Sequence, residues 1–331
     1  MWVKILTNLN SERRDNISVL ITGGTGYVGS HVNKFFMSKG IKTILLDNLT
    51  NSSIQSALRT GAKIYIGDYG NKKLLTEIFQ EEDIDTIIHL GGYISVQESV
   101  SRPLKYYYNN AYKTHVLLQQ AKQAGIKNII FASSAAVYGK NDSMEALREE
   151  GPIDPSNAYG RSKFICEKMI EGSGMRYCNL RFFNIAGSDE TVGESHKEEF
   201  HIIPILMECH LNRQTFHLNG DSFDTKDGTC IRDYVHIKDV VNIIYECYKY
   251  NYSTTLNVGS GVGASNLDLI KEFQDMGYDI SYNVVGKKGA DAPILISNIE
   301  KAKKLFNWTP EYSNLRNIIK DTVYWGVNRN Y

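Results

Sequence analysis

The chain predicts an α/β fold, a doubly wound parallel sheet with a smaller C-terminal α/β lobe. Three observations predict it. Short apolar runs at Ile17–Ile21, Thr43–Leu46, Lys63–Ile66, Thr86–Gly92 and Asn128–Phe131 alternate with stretches of helical periodicity. A glycine-rich turn, Thr22–Gly29, joins the first run to the first helix. Beyond Asn184 the texture changes to polar loops and short elements. The boundaries that follow are an N-terminal extension over residues 1–16, a first domain mainly over 17–186, and a second mainly over 187–331. Segments such as 232–260 are candidates to return to the first domain.

Composition narrows the function. With 331 residues, 42% hydrophobic and 22% charged, the chain reads as a soluble globular protein with a large core. Its 37 basic and 37 acidic residues cancel, so nothing points to nucleic acid or a membrane surface as partner. The five cysteines (Cys166, Cys178, Cys209, Cys230, Cys247) are odd in number and unlike metal ligands in spacing, which fits reduced thiols in the cytoplasm. No apolar run reaches the roughly 20 residues of a membrane span, and Met1–Asn16 lacks a signal-peptide core.

The elements follow in order. After the first strand, Val28, Val32, Phe35 and Phe36 recur at helical spacing up to Gly40, a C-cap. Strand, glycine turn and helix form the context of a Rossmann-type dinucleotide fingerprint. Gly23, Gly26 and Gly29 let the backbone approach a pyrophosphate, and the helix N-terminus offers unpaired N–H groups. The spacing G-x-x-G-x-x-G differs from the standard fingerprint. The second strand ends in Asp47-Asn48, about 20 residues past the turn, where a carboxylate takes the ribose hydroxyls. A carboxylate there repels a 2′-phosphate, which favours NAD over NADP. The third strand ends at Gly67-Asp68-Tyr69, suited to an adenine edge, and a helix over Leu74–Glu81 leads to the fourth.

Val96–Gly125 reads as a long helical region broken at Pro103 and carrying Asn109-Asn110. The fifth strand runs into Ser133-Ser134, and serines at a strand's C-terminal end point into the ligand crevice. A loop over 140–157 precedes a helix over 157–171 and a strand over Asn179–Phe182. On that helix Tyr159 and Lys163 stand four apart on one face. A Lys⁺ beside a phenol lowers its ordinary pKa of about 10 towards that of a working base. With the glycine turn and the serines, the pair describes a site that moves a proton and a hydride against a nicotinamide. In the second half a helix at Ile203–Leu211, a strand at Thr215–Leu218, a helix at 237–249 and a strand at Thr255–Val258 are expected. Asp221, Asp224 and Asp227 lack the twelve-residue frame and closing Glu of an EF-hand, so no metal is expected.

Thr22–Gly29, Asp47-Asn48, Ser133–Tyr138, Tyr159–Lys163, Arg181–Gly187 and Asp227–Tyr234 together resemble the UDP-glucose 4-epimerases, a group of extended short-chain dehydrogenases/reductases. The likeness runs from about Ile17 to Trp308. It implies Tyr159 and Lys163 as the base pair and Ser134 as hydrogen-bond partner of the reacting 4-oxygen. It implies NAD along Gly23, Gly26, Tyr27, Val28, Asp47, Asn48, Asp68, Tyr69, Leu90 and Asn109. It implies a UDP-sugar at Asn184, His201, Ile202, Arg232, Lys288 and Asp291, with Leu295 beside the C2 substituent, and a homodimer through the helices at about 96–124 and 157–171. Gly91-Gly92, Ile94, Phe182, His201 and Lys288 depart from the usual residues of the group; Lys288 stands for an arginine and offers a point charge instead of a fork.

A nucleotide-sugar dehydratase ranks low, because Ala135-Ala136 after Ser134 cannot move protons. UDP-N-acetylhexosamines or UDP-uronates stay open as substrates, and a non-catalytic NAD-binding sensor is the reading from another class.

Overall fold

The computed structural model describes residues 18–140, 145–194, 199, 201–286 and 292–328. The extension at 1–16, Lys288 and Asp291 lie outside the described residues.

The first half builds β1 (Ser18–Thr22), α1 (Tyr27–Ser38), β2 (Lys42–Asp47), α2 (Gln55–Thr60), β3 (Lys63–Ile66), α3 (Lys72–Glu81) and β4 (Ile84–His89). It continues with α4 (Val96–Ser101), α5 (Pro103–Tyr106), a π-helical segment (Tyr107–Tyr112), α6 (Lys113–Gln123), β5 (Asn128–Ser134), α7 (Ala158–Glu171) and β6 (Arg176–Phe182). The second half adds β7 (Asn184–Ala186), α8 (Ile202–Asn212), β8 (Phe216–Asn219), β9 (Ile231–His236), α9 (Ile237–Lys249), β10 (Thr254–Val258), β11 (Gly263–Ser265) and α10 (Asn266–Asp275). It closes with β12 (Tyr282–Val285), β13 (Ile294–Leu295), α11 (Glu300–Phe306) and α12 (Leu315–Asn328).

A seven-stranded sheet in the order β3-β2-β1-β4-β5-β6-β10 forms the centre, and every neighbouring pair is parallel. Helices cover both faces, so its strands read as unbroken apolar runs instead of alternating ones. The strand period of two nevertheless sorts the side chains. Val19, Ile21, Leu45 and Ile88 face a core with α1 and α9. Leu20, Ile44, Leu46 and Ile87 face another with α3, α6 and α7. β10 and α9 rejoin this sheet after the chain has built β7, α8 and β9.

Two of the departures from the sequence expectation lie in helices. The region from Val96 breaks at Pro103 as expected but then forms a π turn over Tyr107–Tyr112. Asn109, Asn110 and Ala111 of this wider turn are all buried. The other is α12, a 14-residue helix where only short closing elements were expected; it buries Ile318, Ile319 and Val323.

The second lobe holds a four-stranded sheet, with β9 between β11 and β13 and also paired to β7, and a parallel β8–β12 pair. Leu206, Leu218, Phe273 and Ile318 centre its core.

Candidate active site

Strand order reverses between β1 and β4, and the crevice at their C-terminal ends is where a doubly wound sheet binds its ligand. The glycine turn lies there. Gly23 has φ +67°, and a Cβ on it would stand 2.8 Å from the nitrogen of Gly91. A Cβ on Gly29 would come within 2.1 Å of the Gly23 carbonyl oxygen. No side chain caps α1, which leaves the N–H groups of its first turn open to an anion. The buried Asp47 carboxylate accepts from the Thr25 N–H at 3.1 Å, the Leu49 N–H at 2.9 Å and the Ser52 hydroxyl at 3.0 Å. It thereby ties the end of β2 to the turn. These residues fit a dinucleotide.

The other residues expected around the cofactor gather nearby. Asn48 donates to Asp68 at 3.5 Å, and Asp68 pairs with Lys113 at 2.5 Å. The Tyr69 hydroxyl donates to the Asn109 carbonyl at 2.6 Å and accepts from the Asn109 amide at 3.2 Å. Leu90 follows β4, its N–H bonded to the Thr22 carbonyl at 3.1 Å. Tyr27 and Val28 open α1, and the Tyr27 hydroxyl donates to the Gly187 carbonyl at 2.5 Å.

Ser134, Tyr159 and Lys163 converge at the end of β5. Asn157 caps α7, accepting from the Gly160 N–H at 2.9 Å. A Cβ on Gly160 would lie 2.3 Å from the Ala136 carbonyl oxygen, so glycine there lets α7 rest directly on the turn after Ser134. The Lys163 ammonium is buried and donates to the Ala132 carbonyl at 2.7 Å. Burial pulls it down to about 8.

The expected effect of Lys163 on Tyr159 is corrected. Burial raises the phenol above its ordinary value, and the group that lowers it is the Ser134 hydroxyl bonded to it. The ammonium is turned to Ala132, 5.9 Å from the centre of the phenol ring. Sequence spacing cannot register burial, which sets the sign here.

The small sheet of the second lobe collects part of the expected UDP set. Asn184 pairs in register with Tyr234, and Leu295 with Arg232. Arg232 donates to the Ile231 carbonyl at 2.9 Å. Ile202 opens α8, and His201 precedes it. Burial works against a charged His201, but Glu194 and Glu199 outweigh it and hold the imidazolium up to about 10. These three are the described residues whose ligand atoms lie within 4.8 Å of one another. They are accounted for as an ion-paired cluster. Asp227 in the Asp-rich loop is taken by Thr229 and Ser265.

Sequence reasoning missed Glu194 and Glu199, and it named Asn110 without giving it a role. The Asn110 amide joins the π turn to Tyr93 at 3.0 Å and to Ser162 at 3.1 Å. It also missed the buried Glu167–Arg181 pair, although Glu167 stands four residues beyond Lys163 on the same helical face.

A nucleotide cradle at the switch point, with a serine, a tyrosine and a lysine at its mouth, defines a nicotinamide-dependent enzyme of the Rossmann class. The chain belongs to the NAD-dependent epimerase/dehydratase family, whose pattern matches residues 19–259. It is 36% identical to a UDP-glucose 4-epimerase of Halalkalibacterium halodurans, covering 93% of this chain and 95% of that one. To its counterpart in Lactobacillus helveticus it is 35% identical, over 93% and 97%. Among solved structures, the Bifidobacterium longum UDP-glucose 4-epimerase in complex with NAD⁺ and UDP superimposes with a TM-score of 0.88 at 31% identity, over 94% and 98% of the chains. The Campylobacter jejuni UDP-Glc/GlcNAc 4-epimerase does so at 0.81 and 32% identity, over 95% and 100%.

Proposed function

We propose that this chain interconverts UDP-glucose and UDP-galactose by inverting C4 of the sugar. The observation that carries the reading is the convergence of Ser134, Tyr159 and Lys163 at the mouth of the dinucleotide cradle. NAD supplies a hydride acceptor that later returns the hydride. Tyr159 acts as the base for the O4 proton, the Ser134 hydroxyl that lowers its pKa holds the reacting oxygen beside it, and Lys163 one turn further along α7 ties the helix to the Ala132 carbonyl. Asn184 and Arg232 anchor the nucleotide, leaving the sugar free to turn between the two transfers. Lys288 and Asp291 complete that anchor by resemblance, and their positions lie outside the described residues. The test is incubation of the holoenzyme with UDP-galactose and analysis of the product. Accumulation of UDP-glucose to a fixed ratio supports the reading, and unchanged UDP-galactose overturns it.

Substrate range is expected to turn on Leu295. It is half-buried and in register with Arg232, which supports a place beside the sugar. An apolar wall offers an acetamido group no hydrogen bond, and discrimination by one or two methylenes is worth only about 1–3 kcal/mol. UDP-glucose and UDP-galactose are therefore preferred, with slower turnover of UDP-N-acetylglucosamine. Leu295→Ser raises the second activity relative to the first and Leu295→Tyr suppresses it, read as the ratio of kcat/KM. A ratio that stays flat across the three proteins removes Leu295 from the pocket.

The protein acts as a homodimer. Val100, Leu104, Tyr108 and Tyr112 follow one another four residues apart, 70%, 78%, 60% and 53% exposed, and Ile165 of α7 is also exposed. α7 packs against the π segment, so two copies can bury this apolar surface through a two-fold, four-helix contact. Leu104→Glu converts the dimer to a monomer in sedimentation experiments; a wild-type chain that sediments as a monomer at micromolar concentration refutes the interface. No helix among the described residues is long and apolar enough to cross a membrane. Five free, buried thiols support a cytoplasmic setting.

A further inference from the structure

Behind Ser134 lies a buried polar network that the chemistry above does not use. Ser133 and Arg181 are paired in register on β5 and β6. Between them and α7 sits the Glu167 carboxylate, which is 0% exposed. The Ser133 hydroxyl donates to its Oε1 at 2.5 Å, and Arg181 grips both oxygens, from Nε at 3.0 Å and Nη2 at 2.8 Å. The remaining Arg181 nitrogen reaches the Tyr138 hydroxyl at 2.9 Å and the Glu149 carbonyl at 3.0 Å. Tyr138 in turn donates to Asn257 of β10 at 2.6 Å.

Tyr159, Lys163 and Glu167 are successive turns of one face of α7. The lower two are each tied to β5, Lys163 to the Ala132 carbonyl and Glu167 to the Ser133 hydroxyl. Two ties at adjacent strand residues fix both the rotation of the helix and its height along the strand. Tyr159 is held one turn above, beside Ser134, the residue after Ser133. We propose that Ser133 and Glu167 are positioning residues, which hold α7 against β5 so that the Tyr159 phenol meets the Ser134 hydroxyl. The inference rests on the assignment of Tyr159 and Ser134 to the reaction.

The two members divide the work differently. Arg181 neutralises the Glu167 charge whether or not Ser133 is present, so Ser133→Ala removes a tie without leaving a buried charge unpaired. Misplacement of about 1 Å can cost on the order of 10²-fold in rate. The Ser134 hydroxyl lowers the phenol's pKa, so loosening that contact moves the titration of the base upward.

The test is Ser133→Ala in the holoenzyme, with kcat and KM for UDP-galactose followed from pH 6 to 10. The expected result is a fall in kcat of about 10-fold or more, a KM near that of the wild type, and a rising limb of kcat displaced to higher pH. The melting temperature changes little. Ser133→Thr, which keeps the hydroxyl, restores the wild-type limb. A wild-type kcat and pH limb in Ser133→Ala overturns the proposal. So does a loss of kcat in step with thermal stability and with no displacement of the limb, since a purely structural residue gives that result. Failure of the underlying site assignment looks different: Tyr159→Phe then stays active, whatever Ser133→Ala does.

Discussion

Replacing Tyr159 with phenylalanine lowers the turnover of UDP-galactose by about 10²–10⁴-fold, the usual worth of a positioned general base, and leaves NAD on the protein. The phenol ring packs edge-on against Tyr106 and keeps that contact in the variant. Only the hydroxyl that faces Ser134 is lost. The glycine turn and Asp47 are not in contact with that hydroxyl, so the cradle is unaltered. The measurement is kcat beside the NAD released by denaturing a known amount of protein. Near-normal epimerisation by the variant refutes the assignment of the base. Loss of NAD together with activity would instead place Tyr159 in cofactor retention.

Arg181→Met has the largest expected effect on stability. It removes the partner of a fully buried carboxylate, and breaking such a pair typically costs roughly 3–5 kcal/mol. Two further hydrogen bonds, to Tyr138 and Glu149, are lost with it. Urea unfolding reads the loss as a fall in midpoint at unchanged slope. Combining it with Glu167→Gln recovers part of the deficit, because no charge is then stranded. Exposed pairs set the contrast: Lys271 and Asp275, 71% and 49% exposed, are screened by water and contribute little. An Arg181→Met protein with a wild-type midpoint means that solvent reaches Glu167.

What was legible in the sequence follows from burial on two sides. β1, β2, β4 and β5 are covered by helices on both faces, and the result is a run of apolar residues that no amphipathic helix displays. Their turns were legible for the same reason that they are tight: Gly23 and Gly29 stand where a side chain collides with backbone. The π turn was not legible, since nothing in the residue pattern of Tyr107–Tyr112 separates a π turn from an α turn. β11 and β13 were not legible either. With three residues and two, each exists only because β9 pairs with it. In the site, spacing placed Tyr159 and Lys163 on one face but gave the wrong influence on the phenol, because neither burial nor the direction of the ammonium is encoded in spacing. Glu167 continued the same face, yet a carboxylate on a helix reads as a solvated one until its partner on β6 is known.

The late return of β10 and α9 has a consequence for how the protein is made. Until residue 258 has left the ribosome, β6 is an open strand edge, and Val32 and Phe36 of α1 lack the cover of Val240, Val241 and Ile244. By then β7, α8, β8 and β9 have also been synthesised, while β11 and β13, which pair with β9, have not. The sheet that cradles the cofactor therefore cannot finish before part of the second lobe has been synthesised. A nascent chain that ends between residues 182 and 254 carries both the unpaired β6 edge and an uncovered apolar face, the combination that chaperones bind.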